Sequence, residues 1–161
     1  MTFQITYQAI GVIHSPFSDL AQMPIQPTAR VSAPGTADVF LEFAEGLKDL
    51  EGFSHVILLY HFHEAHRMAL TVTPFLSTEP KGIFATRAPI RPNPIGLSIV
   101  KLLKVEGTRL HLGNLDILDG TPLLDIKPYV PGFDRPQRVR VGWMRDATGN
   151  ARDTKSDDRF A

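Results

Sequence analysis

The stretch Ile99-Val100-Lys101-Leu102-Leu103-Lys104-Val105-Glu106-Gly107-Thr108-Arg109-Leu110-His111-Leu112 decides the fold. In an extended chain Ile99, Lys101 and Leu103 fall on one side and Val100, Leu102 and Lys104 on the other. Glu106-Gly107-Thr108 then turns the chain back onto Arg109–Leu112, so the segment reads as a β-hairpin. Upstream, Val56-Ile57-Leu58-Leu59-Tyr60 is β-rich and apolar on both faces, which predicts a buried central strand. Further strands are expected over Thr6–Ile13, closing at His14-Ser15-Pro16, over Leu70–Thr73 and over Gly82–Thr86. Another pair is expected on either side of the turn Asp119-Gly120-Thr121-Pro122, and a last strand over Arg138-Val139-Arg140-Val141, which alternates cleanly. A strand from Val39 to Phe43 followed by a short helix ending before Gly52 is expected too, although Val39, Phe43, Leu47 and Leu50 also fit helical spacing. Many short strands with little helix predict an all-β protein, a barrel or a sandwich.

The chain has 161 residues, enough for one domain with a sizeable core. Apolar residues make up 43% and charged residues 21%, which excludes a disordered chain or a fibre. The absence of cysteine removes disulfide frameworks, thiolate metal sites and cysteine nucleophiles together. No run approaches the roughly 18 apolar residues of a membrane span, and Met1-Thr2-Phe3-Gln4 lacks the basic flank of a signal peptide. A soluble, cytoplasmic protein without membrane association is expected. Residues 1–144 are read as the domain, and residues 145–161 as a polar, frayed tail. Lys+Arg and Asp+Glu both total 17, yet residues 1–79 carry a net −5 and residues 80–145 a net +6. The second half could therefore present a basic face to a polyanion, or the two halves could interleave and cancel.

Three stretches could carry chemistry. In Thr86-Arg87-Ala88-Pro89-Ile90-Arg91-Pro92-Asn93-Pro94-Ile95-Gly96 the three prolines exclude a helix and a central strand, which predicts a stiff, extended surface loop. Arg87 and Arg91 would stand about 13 Å apart, with Arg91 and Asn93 on one side. They would either receive carboxylate or phosphate groups or pair with nearby aspartates to hold the loop. In Asp119-Gly120-Thr121-Pro122-Leu123-Leu124-Asp125-Ile126-Lys127-Pro128-Tyr129, Asp119 is read as the turn builder. Leu124 and Ile126 would face one way and Asp125 and Lys127 the other, as an ion pair or as a pocket wall beside Tyr129. In His61-Phe62-His63-Glu64-Ala65-His66 the first two imidazoles would share one face of a strand, a metal-like spacing. Ala65 stands where a metallo-hydrolase needs an aspartate, so no metal is expected. No dinucleotide, phosphate-loop or nucleophile-elbow motif is present.

Ile10-Gly11-Val12-Ile13-His14-Ser15-Pro16, Gly52-Phe53-Ser54-His55, Gly82-Ile83-Phe84-Ala85-Thr86-Arg87, Arg91-Pro92-Asn93-Pro94-Ile95-Gly96, and Asp119-Gly120-Thr121-Pro122 with Asp125-Ile126-Lys127-Pro128-Tyr129 occur in one order. With these blocks the chain resembles the TsaA-like (YaeB) family, which includes the TrmO-type tRNA methyltransferases, from about Ile10 to Asp134. The resemblance implies a compact, non-Rossmann β-barrel methyltransferase with short helical connections that uses S-adenosylmethionine and works as a homodimer. It implies methylation of the exocyclic nitrogen of threonylcarbamoyl-adenosine beside the anticodon of certain tRNAs. Family positions around the cofactor fall here on Pro27, Thr28, Ala29, His63, Glu64, Arg87, Leu97, Pro122, Leu123, Leu124 and Asp125. The target nitrogen is urea-like and must lose a proton, with His63, Asp125 and Tyr129 as candidate acceptors. Arg91, Asn93, Lys127, Tyr129, Arg138 and Arg140 are the candidate tRNA-binding residues. Bacterial relatives carry an arginine where this chain has Ile25, and longer relatives add a C-terminal domain. The alternative is a small-molecule methyltransferase or an S-adenosylmethionine sensor.

Overall fold

Six strands pair edge to edge until the last meets the first, and the sheet so closed is the body of the protein. The computed structural model describes residues 2–21, 23, 33–147, 155 and 157–160. Its strands are β1 Gly11–His14, β2 Ala33–Val39, β3 His55–His61, β4 Thr71–Val72, β5 Lys81–Gly82, β6 Ile95–Glu106, β7 Arg109–Leu115 and β8 Thr121–Pro128. The barrel order is β1-β2-β7-β6-β3-β8 with every neighbour antiparallel, and β4 and β5 form a separate two-stranded ribbon. One short helix, α1 at Pro131–Asp134, follows the barrel, and short 3-10 turns fill the connections.

The expected hairpin is β6–β7. Glu106 pairs with Arg109 across Gly107-Thr108, and Gly107 adopts φ +62, a region that costs glycine nothing. Along β6 the alternation sorts the side chains. Gly96, Ser98, Val100 and Leu102 point inward, while Ile95, Leu97, Ile99, Lys101 and Leu103 point outward. Ile13, Val56, Leu58, Val100, Leu110, Leu112, Leu115 and Leu123 fill the interior with essentially no solvent exposure. Each such residue contributes about 1.5–3 kcal/mol by leaving water. The Asp119 turn is stitched to the end of β1. Asp119 Oδ1 accepts from Ser15 N at 3.1 Å, and Gly120 N donates to Ile13 O at 2.9 Å.

Several expectations need correction. β3 is not buried on both faces: Val56, Leu58 and Tyr60 are inside, but Ile57 and Leu59 are half-buried on the outer wall beside Ile99 and Leu97. The strand expected from Val39 ends there, since 3-10 turns begin at Leu41. Arg138–Val141 forms no strand: the segment is exposed and Arg138 has φ 57. A closed barrel offers it no free edge to pair with. The tail expected to fray returns to the body at Asp157–Phe160. There Phe160 is buried with Val72, Ile83, Ala88 and Ile90, and its ring meets Phe75 edge-on at 5.0 Å.

Candidate functional site

A largely apolar cleft of about 370 Å3 opens at one rim of the barrel, where β3 ends and β6 and β8 begin. Phe62, Leu97, Ile117 and Phe75 contribute apolar wall, and Trp143 and Phe160, from beyond the barrel, close the far side. Trp143 is fixed there because its indole Nε1 donates to Ala85 O at 2.8 Å. The size falls within the usual range of small-molecule sites, about 300–1,000 Å3.

The proline loop forms one side of the cleft but is not extended. It begins with a 3-10 turn at Ile83–Ala85, and Ala88 and Ile90 turn inward and are buried. Arg91 organises this curl: its Nη1 donates to Thr86 O at 2.8 Å, Ile83 O at 3.2 Å and Ala88 O at 3.3 Å. The holding role thus uses backbone carbonyls, not an aspartate, and leaves Arg91 less able to receive an anion. Arg87 differs. It lines the cleft, is exposed, and has no hydrogen-bond or ion-pair partner among the described residues.

Beneath Arg87 lies a polar chain that the sequence reading missed. Tyr60, buried inside β3, meets Ser98 Oγ at 2.9 Å, and Ser98 Oγ donates to Asp116 Oδ1 at 2.6 Å. Because the serine proton goes to the carboxylate, the tyrosine proton must go to the serine, and both donors point toward Asp116. Gly96 makes room for this arrangement: a Cβ there would lie 2.2 Å from Tyr60 Cε2. Desolvation raises the Asp116 carboxyl to about 6 against the opposing pull of Ser98, its own backbone N–H and Arg87. Burial likewise raises the Tyr60 phenol, with the Asp116 charge adding to it.

His63 also lines the cleft, beside Thr121. Thr121 Oγ1 donates to Leu118 O at 2.7 Å, so towards His63 Nδ1, 3.3 Å away, it can only accept. The imidazole therefore donates from Nδ1, and its Nε2 lies 3.6 Å from Glu64 Oε1. β3 ends at His61, so His61 and His63 do not share a strand face. Among the described residues no three acidic or imidazole groups are placed to hold a metal.

Of the other expected site residues, Leu97 lines the cleft and Pro122 adjoins it through Thr121. Leu123 points into the core with no exposure, and Leu124 is half-buried. The register shift opposite Leu59 and Tyr60 breaks the expected alternation, so Leu123, not Leu124, joins Ile126 at the core. Asp125 is on the outer wall, across Leu59 from Leu97. It lies 2.7 Å from Lys127 Nζ and accepts from Ile126 N. Tyr129 packs edge-on against His55 at the far end of β3, about 20 Å from the cleft by strand length. Asn93 is exposed in the loop. Arg138 and Arg140 are exposed on the segment leading to Trp143, without an acidic partner among the described residues. Pro27, Thr28 and Ala29 lie outside the described residues.

This donor set suits a small zwitterion: an unpaired guanidinium, carboxylates at Asp116 and Glu64, and apolar walls between them. Residues 12–135 match the family model described as the tRNA-methyltransferase O N-terminal domain. The chain belongs to the TrmO family. A probable S-adenosyl-L-methionine-binding protein of Pyrococcus abyssi is 51% identical over 99% of this chain and 87% of its own length. A tRNA (adenine(37)-N6)-methyltransferase of Rattus norvegicus is 36% identical over 94% of this chain, which spans 39% of the rat protein. A crystal structure of TrmO from Pseudomonas aeruginosa superposes with a TM-score of 0.73 at 42% identity, covering 88% of this chain and 63% of that one. The chain thus spans under two thirds of that solved TrmO structure.

Proposed function

We propose that the chain is an S-adenosylmethionine-dependent tRNA methyltransferase of the cytoplasm that acts on the exocyclic nitrogen of threonylcarbamoyl-adenosine beside the anticodon. The observation that carries this reading is the cleft itself, where an arginine without a hydrogen-bond partner among the described residues, two carboxylates and apolar side chains line one pocket of a TrmO-family barrel. Bound there, S-adenosylmethionine would supply a methyl group already activated on a sulfonium. Arg87 would take its carboxylate tail by charge-assisted hydrogen bonds. Glu64, with His63 held by Thr121, would lie near its cationic groups, and Leu97 and Phe62 would cover its apolar surface. Pro27, Thr28, Ala29, Pro122, Leu124 and Asp125 complete the proposed binding set.

The proposed tRNA face is the exposed segment of Arg138 and Arg140 that ends at Trp143 on the cleft rim, together with Lys127 and Asn93. Neither arginine has an acidic partner among the described residues, which leaves both charges for phosphate. A homodimer is supported by the outward apolar row of β6, where Ile95, Leu97 and Ile99 are 41%, 45% and 38% exposed beside half-buried Ile57 and Leu59. Exposed apolar residues in one contiguous row mark association surfaces.

Calorimetric titration with S-adenosylmethionine followed by tritium transfer into total tRNA from cells lacking this protein tests the reading. Binding with label in the RNA is the expected result. Binding without transfer would redirect the search to another acceptor or a sensor role, and no binding would overturn the reading.

A further inference from the structure

We propose that Asp116 is the catalytic residue that accepts the proton from the methylated nitrogen, and that Ser98 and Tyr60 are positioning residues that hold its carboxylate. This rests on the methyltransferase reading and deepens it. The three groups previously open for the role are placed differently. Tyr129 is at the other end of β3, and Asp125 is tied to Lys127 and its neighbouring backbone on the outer wall. The ring nitrogens of His63 face Thr121 and Glu64.

Asp116 meets the requirements by geometry. It lines the cleft, so a bound nucleobase can reach it. Its Oδ1 is fixed by Ser98, which is itself fixed by Tyr60, and no further described side chain donates to the carboxylate. The carboxylate is thus oriented by Ser98 and its own backbone N–H while it lines the cleft, as a positioned base needs. Tyr60 lies behind it through Ser98, the Arg87 charge acts on it, and His63, Glu64 and Asp157 are the other titratable groups that line the same cleft. Burial makes this carboxyl more basic than an ordinary aspartate, and the Ser98 hydrogen bond, its own backbone N–H and then Arg87 limit that rise. In the step itself the N–CH3 bond forms while the S–CH3 bond breaks onto sulfur. The N–H bond breaks with its electrons staying on nitrogen, and the proton passes to Asp116.

The test is Asp116→Asn, with native protein as the control, assayed for S-adenosylmethionine affinity and for methyl transfer to tRNA bearing threonylcarbamoyl-adenosine. The expected result is transfer lowered about 100-fold or more, with affinity within about threefold. A separate readout needs neither cofactor nor RNA: in the free protein with 13C-labelled aspartate carboxyls, one resonance titrates near 6. That resonance disappears in Asp116→Asn and shifts its midpoint in Ser98→Ala. Native activity together with near-native turnover of Asp116→Asn would overturn the proton-acceptor assignment alone. Native protein that binds the cofactor but never labels tRNA would overturn the methyltransferase reading, and the assignment with it. Absence of the elevated carboxyl resonance would show Asp116 to be no more basic than an ordinary aspartate, and would overturn the assignment even if Asp116→Asn fails to fold.

Discussion

Replacing Gly96 by alanine would place a Cβ 2.2 Å from Tyr60 Cε2, 2.5 Å from Cζ and 2.8 Å from Cδ2. Ordinary contact begins near 3.4 Å, so the ring must retreat by roughly 1.2 Å or the strands must part. The strands resist, because Gly96 and Tyr60 are partners in the β3–β6 ladder. The ring resists too, since it is closely surrounded and its hydroxyl is held by Ser98. Overpacking of this kind costs about 1–3 kcal/mol, and loss of the Tyr60–Ser98 hydrogen bond adds about 1 kcal/mol. At about 2–4 °C per kcal/mol for a domain of this size, Tm should fall by roughly 5–15 °C. Thermal unfolding followed by circular dichroism measures this, and a double-mutant cycle isolates its cause. In a Tyr60→Leu background the same glycine replacement should cost much less, because the obstructing ring is gone. An unchanged Tm in the single variant, or an equal loss in both backgrounds, would refute the steric argument.

Other outcomes follow from the ion pairs and the basic segment. Arg109 donates to both oxygens of Asp38, at 2.6 and 2.8 Å, and this hydrogen bonding holds the Asp38 carboxyl below its ordinary 3.8. A lowered carboxyl stabilises the fold above the unfolded value, and that contribution is lost as pH falls through the folded one. Arg109→Met should therefore lower the urea midpoint at pH 7, and the difference from native should shrink progressively below about pH 4. Arg91→Met should release the three carbonyls of the proline loop, seen as faster amide hydrogen exchange over residues 83–91 with little change in the barrel strands. Unchanged exchange there would remove Arg91 as the organiser of the curl. Charge reversal at Arg138 and Arg140 should weaken tRNA binding and reduce the log–log salt slope by about 0.7–0.9 per lost phosphate contact. An unaltered slope would take both residues off the RNA face.

The all-β fold, the hairpin about Gly107 and the turn at Asp119 are written in local patterns that a single chain displays. What was hidden depended on register. Counting back along β6 from the Gly107-Thr108 turn places Asp116 opposite Ile99, on the outer face. The ladder instead slips by one residue between Leu102 and Lys104, and beyond its last pair, Lys101 with Gly113, Asn114 turns at φ 60, so that Asp116 meets Ser98 through its side chain. No local pattern announces that shift, so the Tyr60–Ser98–Asp116 chain could not be read from the sequence. The shift opposite Leu59 and Tyr60 concealed the burial of Leu123 in the same way. Arg138-Val139-Arg140-Val141 failed for another reason, since alternation describes a strand only where an unpaired edge exists to receive it. His63, Glu64, Arg87 and Leu97 were legible through family resemblance, and the structure brings all four to one cleft. The return of Phe160 was not legible, because one aromatic residue in a polar tail carries no periodicity.

Closure of the barrel also governs how copies of this chain can associate. Each of its six strands already has two neighbours, so the barrel has no edge strand. In the proposed dimer the apolar row of Ile95, Leu97 and Ile99 would then meet its partner through side chains, across a surface of fixed outline. Strand addition propagates because each newcomer exposes a fresh edge, whereas contact between two curved walls is self-limiting. A protein with this much aliphatic surface on an open sheet would be a seed for fibrils, and here the same residues favour a discrete assembly that stops growing.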